Sequence, residues 1–322
     1  MRDKPVLRDK KESLWRALGD VTTAGVTLKN PILTASGTAG HGAELAPYFA
    51  LSSLGAVVVK SLYPTSWPGN PAPRVHNTPS GMLNAVGLQG PGVDAWVKQD
   101  LVSLRAVDAT VVASIWGRTI DDYATAARQL VASHASLVAV EVNLSCPNLE
   151  GRAGIFAHDA DLSAQVVRVV VDELGSCGVP VWAKLSPNTD RVLQVVEAVE
   201  KAGATAVTLI NTLLGMQLDI STRKASLGNG GGGLSGRAIH PVAVRTIYDV
   251  RQSFPEIPIV GVGGVASGSD VIEMMMAGAS LVQVGTAIFA DPRAPQKILH
   301  EASRLMRGLG VSRWGEVVNA AH

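Results

Sequence analysis

Pro258-Ile259-Val260-Gly261-Val262-Gly263-Gly264-Val265 and Leu281-Val282-Gln283-Val284-Gly285-Thr286-Ala287 decide the fold of this 322-residue chain. Each is a continuous run of β-branched and small residues that stops on glycine and leads into a helical segment. Continuous runs, unlike alternating ones, suit parallel strands covered on both faces. Similar runs precede them at Pro31–Ser36, Ala56–Ser61, Thr110–Gly117, Leu137–Ser145, Val179–Ser186 and Ala206–Thr212.

Helical spacing fills the intervals at Ile120–Ser133, Leu162–Leu174, Arg191–Ala202, Ile272–Ala277 and Ala294–Leu305. Ala202-Gly203-Ala204 and Ala277-Gly278-Ala279 supply the glycine that ends a helix before the next strand. Eight β/α repeats in about 290 residues predict an α/β fold, a TIM (β/α)8 barrel, over a doubly wound sheet. Val21–Lys29 reads as a short N-terminal hairpin closing the barrel floor. The expected organisation is a polar extension at 1–20, a barrel at 21–310 and a C-terminal tail at 311–322. Leu62–Gly92, Cys146–His158 and Leu213–Arg237 are too long for simple links. In a barrel all three rise over the C-terminal face, where long loops carry function.

Charge and composition narrow the function. The net charge is +1, and no basic run exceeds Arg8-Asp9-Lys10-Lys11, so a nucleic-acid partner is not expected. Two cysteines, Cys146 and Cys177, are too few for a disulfide framework or for an iron–sulfur cluster, which takes about four thiolates. No apolar run approaches the ~18 residues of a membrane span, and Met1–Pro5 begins no signal segment. A cytoplasmic protein away from the membrane is expected. Charged residues are 17%, below the roughly 25% of an average soluble chain, which points to extra buried surface such as a subunit interface.

The chemistry gathers at the strand ends. Gly263-Gly264 and Gly285-Thr286 follow the last two strands, the frequent phosphate site of this fold, where glycine lets backbone N–H groups approach an anion. Lys60 and Lys184 each end an apolar run, and a lysine there is costly unless it meets an anion. Two such lysines fit a shared anionic ligand, such as a flavin that becomes negative when reduced. Asn84, Asn143, Asn148 and Asn211 offer the paired donors and acceptors that read an imide such as a pyrimidine. Cys146 stands where Val140–Ser145 runs out into a loop, with Asn143 and Asn148 close by. A thiol there can take a proton from a substrate the amides hold; on this segment alone, packing remains open as its role. Gly230–Gly233 is no Walker motif, because no Gly-Lys-Ser/Thr follows, and reads as a flexible loop. Ser235-Gly236 offers further backbone donors.

These motifs together resemble the class 1 dihydroorotate dehydrogenases, and within them the class 1B catalytic subunit, from about Val21 to Arg307. The anchors are Thr34–Thr38, Gly69–Arg74, Gly81–Gln89, Asn143–Asn148, Lys184–Asn188, Asn211-Thr212, Gly233–Gly236 and the two phosphate loops. The resemblance implies FMN-dependent oxidation of dihydroorotate to orotate in pyrimidine (UMP) biosynthesis. It implies FMN contacts at Ala35, Ser36, Gly37, Lys60, Ser61, Asn143, Lys184, Ile210, Ser235, Gly236, Gly263, Gly264, Gly285 and Thr286. It implies substrate contacts at Lys60, Asn84, Gly87, Leu88, Asn148, Asn211 and Thr212. Cys146 matches the base that removes a proton from C5, while a hydride leaves C6 for N5 of the flavin; no metal is implied.

Class 1B relatives form a homodimer core within a heterotetramer whose second subunit carries FAD and a 2Fe–2S cluster and passes electrons to NAD. The alternatives are a class 1A-like homodimer using fumarate, a dihydropyrimidine-type flavin dehydrogenase, or a non-catalytic flavin-binding barrel. Three positions depart from the family pattern. Ser114 stands for an asparagine, Trp116 for a small residue and Gly90 for an asparagine, which puts flavin contacts near Ser114 in question.

Overall fold

The eight apolar runs become eight parallel strands of one sheet in a computed structural model that describes residues 14–145 and 155–322. They are β1 (Ile32–Thr34), β2 (Val57–Val58), β3 (Val111–Ile115), β4 (Ala139–Asn143), β5 (Val181–Lys184), β6 (Ala206–Leu209), β7 (Ile259–Val262) and β8 (Leu281–Val284). Each strand pairs with its sequence neighbour, and β8 pairs with β1. A parallel bridge between Leu33 and Ala56 closes β1 onto β2, so the sheet is a barrel without a free edge.

Continuous apolar character conceals a period of two. Leu33, Val58, Val112, Ala139, Trp182, Ala206, Val260 and Leu281 form one buried cluster with Ala24, Val26 and Leu28. Their neighbours along the chain, such as Ile32, Val57, Val111, Val140, Val207 and Val282, belong to a second cluster with the helices. The first set fills the lower barrel interior and the second packs outward, because successive side chains leave a strand on opposite faces. The hairpin Val21–Thr23/Val26–Leu28 plugs the floor as expected, and Trp182 Nε1 donates to Ala24 O at 2.9 Å to hold it there. Two residues further up the same strands, the inward positions turn polar: Ser114, Glu141, Lys184, Thr208 and Gln283 are all buried. The floor is greasy and the top is wired for chemistry.

Helices surround the barrel at Ile120–Leu130, Ala160–Leu174, Val192–Lys201, His240–Ser253, Gly268–Met276 and Ala294–Gly308. Thr119 and Asp122 cap the first reciprocally, and Asp159 caps the second through Leu162 N at 2.9 Å. The first β/α unit departs from the regular pattern, with a 3-10 turn at Leu51–Ser53 after β1. The polar extension also departs from expectation at its end, since Trp15 and Leu18 are buried in the core. The tail 311–322 packs on the barrel through Trp314 and Val317, and Asn319 N and Ala321 N donate to Met275 O and Met276 O.

Two of the long loops are not structureless. Leu62–Gly92 and Leu213–Arg237 together build a four-stranded antiparallel sheet from Val75–Thr78, Gly81–Asn84, Gly232–Ser235 and Leu213–Gly215. The expectation of a flexible Gly230–Gly233 loop is therefore corrected. Gly232 and Gly233 lie in a roof strand, and their glycines answer a close approach. A Cβ on Gly232 would sit 2.5 Å from Asn84 O, and one on Gly233 would sit 2.1 Å from Thr212 Oγ1. The third loop lies largely outside the described residues.

Candidate active site

Between the strand ends and the roof sheet lies a cavity of about 330 Å³. The loop after β7 supplies one end. His240 donates from Nδ1 to Gly263 O at 2.9 Å and so fixes the Gly263-Gly264 turn. Gly264 adopts φ +68°, and a Cβ there would lie 2.8 Å from Gly236 O, so two chain segments meet across bare backbone. Thr286, from the loop after β8, donates from Oγ1 to Ser235 Oγ at 2.8 Å and ties that loop to the roof. The result is a cradle of backbone with no room for larger residues, the arrangement that receives a phosphate.

Strand β5 delivers Lys184, which is 4% exposed, to the cavity wall. Its Nζ donates to Ser36 Oγ at 3.0 Å and lies 3.6 Å from Glu141 Oε1. Lys60, following β2, also lines the cavity. Burial pushes the Lys60 ammonium below the usual lysine range, and the nearby Arg74 guanidinium adds to the push. An anion entering the cavity therefore meets one cation paired with a carboxylate and one crowded by another cation.

The amides form the third group. Asn143 donates from Nδ2 to Ser61 Oγ at 3.2 Å, and its Oδ1 accepts from Ser145 Oγ at 3.0 Å. Asn211 donates to Ser145 Oγ, and its own Oδ1 accepts from Thr212 N at 2.8 Å. Asn84 reaches Gly233 O from the roof at 3.4 Å. Ser145, the last described residue before Cys146, is thus held from two sides.

Ala35, Ser36, Gly37, Lys60, Ser61, Asn143, Lys184, Ile210, Ser235, Gly236, Gly263, Gly264, Gly285 and Thr286 all line this one cavity, as do Asn84, Gly87, Leu88, Asn211 and Thr212. Cys146 and Asn148 lie outside the described residues. The other cysteine, Cys177, sits in the Gly175–Cys177 turn before β5, at the floor end of the barrel. Sequence reading missed several lining residues, among them Thr38, Val75, Met82 and Phe289. Met82, Asn84 and Val86 face the cavity in alternation, a strand signal inside what reads as a loop. Val75 and Phe289 are 54% and 59% exposed, large apolar side chains on the cavity rim.

The three departing positions do not line the cavity. Ser114 is buried and bonded to Ser61 Oγ at 2.8 Å. Trp116 packs against Tyr63 and Trp67, with ring centroids 4.9 and 5.6 Å away. Gly90 exchanges two backbone hydrogen bonds with Trp67, and a Cβ there would sit 3.1 Å from His41 Nε2. Among the described residues, Ser114 therefore reaches the cavity through Ser61.

Comparison with known proteins finds relatives over most of the chain. The family model described as dihydroorotate dehydrogenase matches residues 19–306. A protein of Geobacter sp. strain M21 is 41% identical over 300 residues, covering 93% of this chain and 97% of its own length. Proteins of Halalkalibacterium halodurans and Desulforudis audaxviator are each 44% identical, covering 94% of this chain and 97% of their own lengths. All three are named dihydroorotate dehydrogenase B (NAD(+)), catalytic subunit.

Proposed function

This chain belongs to the dihydroorotate dehydrogenase family, and from that premise we propose that it oxidises dihydroorotate to orotate in pyrimidine biosynthesis as the catalytic subunit of an NAD-linked enzyme. The observation that carries this is the convergence of two lysines, three described asparagines and two glycine turns on one cavity. A phosphate cradle, cations for a ring that gains negative charge and amides for an imide are what this oxidation requires.

The residues present fit FMN. Gly263-Gly264, Gly285-Thr286 and Ser235-Gly236 would hold its phosphate, and Ala35–Gly37, Lys60, Ser61, Asn143, Lys184 and Ile210 its ring. When bound, FMN supplies the acceptor for the hydride that dihydroorotate loses from C6. Asn84, Asn148, Asn211 and Thr212, with the Gly87-Leu88 backbone, hold the substrate's imide and carboxylate and fix its orientation. Lys60, assigned to both cofactor and substrate, would contribute positive charge to the cavity it lines. Cys146 takes the C5 proton, which balances the departing hydride and leaves the C5–C6 double bond of orotate. The backbone cradle and the buried lysine are fixed before substrate arrives, so little reorganisation accompanies the charge movement.

The relatives' designation as catalytic subunits supports a second subunit for onward electron transfer. We assign that role to an FAD/2Fe–2S protein joined to a homodimer of this chain in a cytoplasmic heterotetramer. No helix among the described residues is long and apolar enough to cross a membrane. The isolated chain is expected to carry about one FMN and no FAD, and to reduce an artificial dye with dihydroorotate but NAD only poorly. Efficient NAD reduction by the rigorously purified single chain overturns the two-subunit reading, and stoichiometric FAD overturns the cofactor assignment.

A further inference from the structure

Glu141 has no part in the chemistry above, yet its carboxylate is buried inside the barrel with 0% exposure. It does not line the cavity; Asn143, two residues further along β4, does. Oε2 accepts from Thr208 Oγ1 on β6 at 3.1 Å and from Gln283 Nε2 on β8 at 2.8 Å. Among the described residues Oε1 accepts no hydrogen bond, and it faces Lys184 Nζ at 3.6 Å. Lys184 in turn donates to Ser36 Oγ at the cavity wall. Three strands thus hold one carboxylate beneath one cavity cation.

Stability is a weak reason for the arrangement. A buried ion pair replaced by apolar groups of similar volume is often as stable or more so. What the pair does set is the position of the Lys184 head group and the field it presents to the cavity. With its counter-ion in place, the ammonium offers the cavity a partly cancelled field. Without it, the whole positive charge acts on the ligand. A neutral ligand ring responds weakly to that difference and an anionic one strongly.

We propose that Glu141 is a positioning residue that holds Lys184 at the cavity wall and tempers its charge, setting how strongly the site prefers a reduced, anionic flavin over the oxidised, neutral one. This rests on the FMN assignment made above. Removal of the carboxylate charge favours the anionic form, so the reduction potential of bound flavin rises.

The test is the reduction potential of FMN on the intact chain, measured by anaerobic equilibration with redox dyes, alongside the Kd for oxidised FMN. Glu141→Gln is expected to bind oxidised FMN within about threefold of wild type and to favour the reduced form at least about tenfold more, a positive shift of about 30 mV for a two-electron couple. Glu141→Asp, which keeps the charge, is expected to stay within about threefold of wild type in that preference. In a Lys184→Met background, Glu141→Gln adds no further shift. A change below about threefold in Glu141→Gln, or an undiminished shift without Lys184, overturns the inference. If Glu141→Gln does not fold, Gln283→Met keeps the carboxylate and removes one of its two donors. A change of about twofold or more in the preference is then expected, and none overturns the proposal. A wild-type chain that takes up no FMN overturns the cofactor assignment and this inference together. An FMN-loaded wild type with unmoved variants overturns this inference alone.

Discussion

Substituting Gly264 by alanine tests the phosphate cradle where it is tightest. Gly264 holds φ +68°, and a Cβ there would lie 2.7 Å from His240 Cβ, 2.8 Å from Gly236 O and 2.9 Å from His240 N. Two of these are backbone atoms and the third is a Cβ, so no flexible side chain can swing aside. The left-handed conformation costs alanine about 1–2 kcal/mol. Forcing an atom into packed backbone adds about 1–3 kcal/mol. The cheapest relief is to shift the turn away from Gly236, which opens the cradle. If about 2–4 kcal/mol of that strain is expressed as lost binding, FMN affinity falls by about 30- to 1,000-fold. Gly178→Ala is the control, with φ +65° and, among the described residues beyond its chain neighbours, nothing within 4 Å of its Cβ, at the floor end of the barrel. It is expected to lower stability by about 1 kcal/mol and leave FMN affinity unchanged. Titrating the apoprotein into FMN and following fluorescence quenching measures both, with thermal unfolding read in parallel. Wild-type FMN affinity and Tm in Gly264→Ala, or an equal loss in Gly178→Ala, would show that this turn does not hold the phosphate.

Further expectations concern the thiols, the acid side of the stability curve and the barrel floor. Cys146→Ala keeps FMN but slows flavin bleaching by dihydroorotate by about two to four orders of magnitude, the usual worth of a positioned base. Cys177→Ala behaves as wild type in the same rapid-mixing experiment, and the reverse pattern contradicts the assignment. Burial, with the Lys60 charge second, holds the His41 imidazole down to about 4 from an ordinary 6.5. The unfolded chain therefore binds this proton first as pH falls, so the associated stability is present above about 6.5 and lost towards about 4. Allowing for solvent screening, the loss between pH 7 and 5 is about 1 kcal/mol in urea unfolding, and His41→Gln flattens it. Trp182→Ala, which removes a fully buried ring and its bond to Ala24 O, costs about 3–5 kcal/mol by the same assay.

The barrel was legible because each strand is covered on both faces, and that covering writes itself as an unbroken apolar run. The lysines and glycines were legible for the opposite reason, as residues such a run tolerates only at its end. The roof sheet was not legible. Its strands come from loops far apart in sequence, with Gly233 pairing with Asn84, and neither partner is apolar enough to announce a strand. The same distance conceals in the sequence that Val75 and Met82 line the cavity. Glu141 was visible in Val140-Glu141-Val142, but its partners on β5, β6 and β8 exist only once the barrel closes. Ser114 and Trp116 misled in the other direction. Each looks like a change to the site, and each is packing behind it.

Loaded with FMN, this cavity is expected to remove a hydride and a proton from dihydroorotate, two electrons and two protons in all. Anaerobic titration of the FMN-loaded chain with dihydroorotate tests that most directly, with flavin absorbance and orotate followed together. The flavin is expected to bleach, with one orotate appearing for each flavin reduced. A chain that binds FMN in this cavity and stays oxidised under excess dihydroorotate would contradict it.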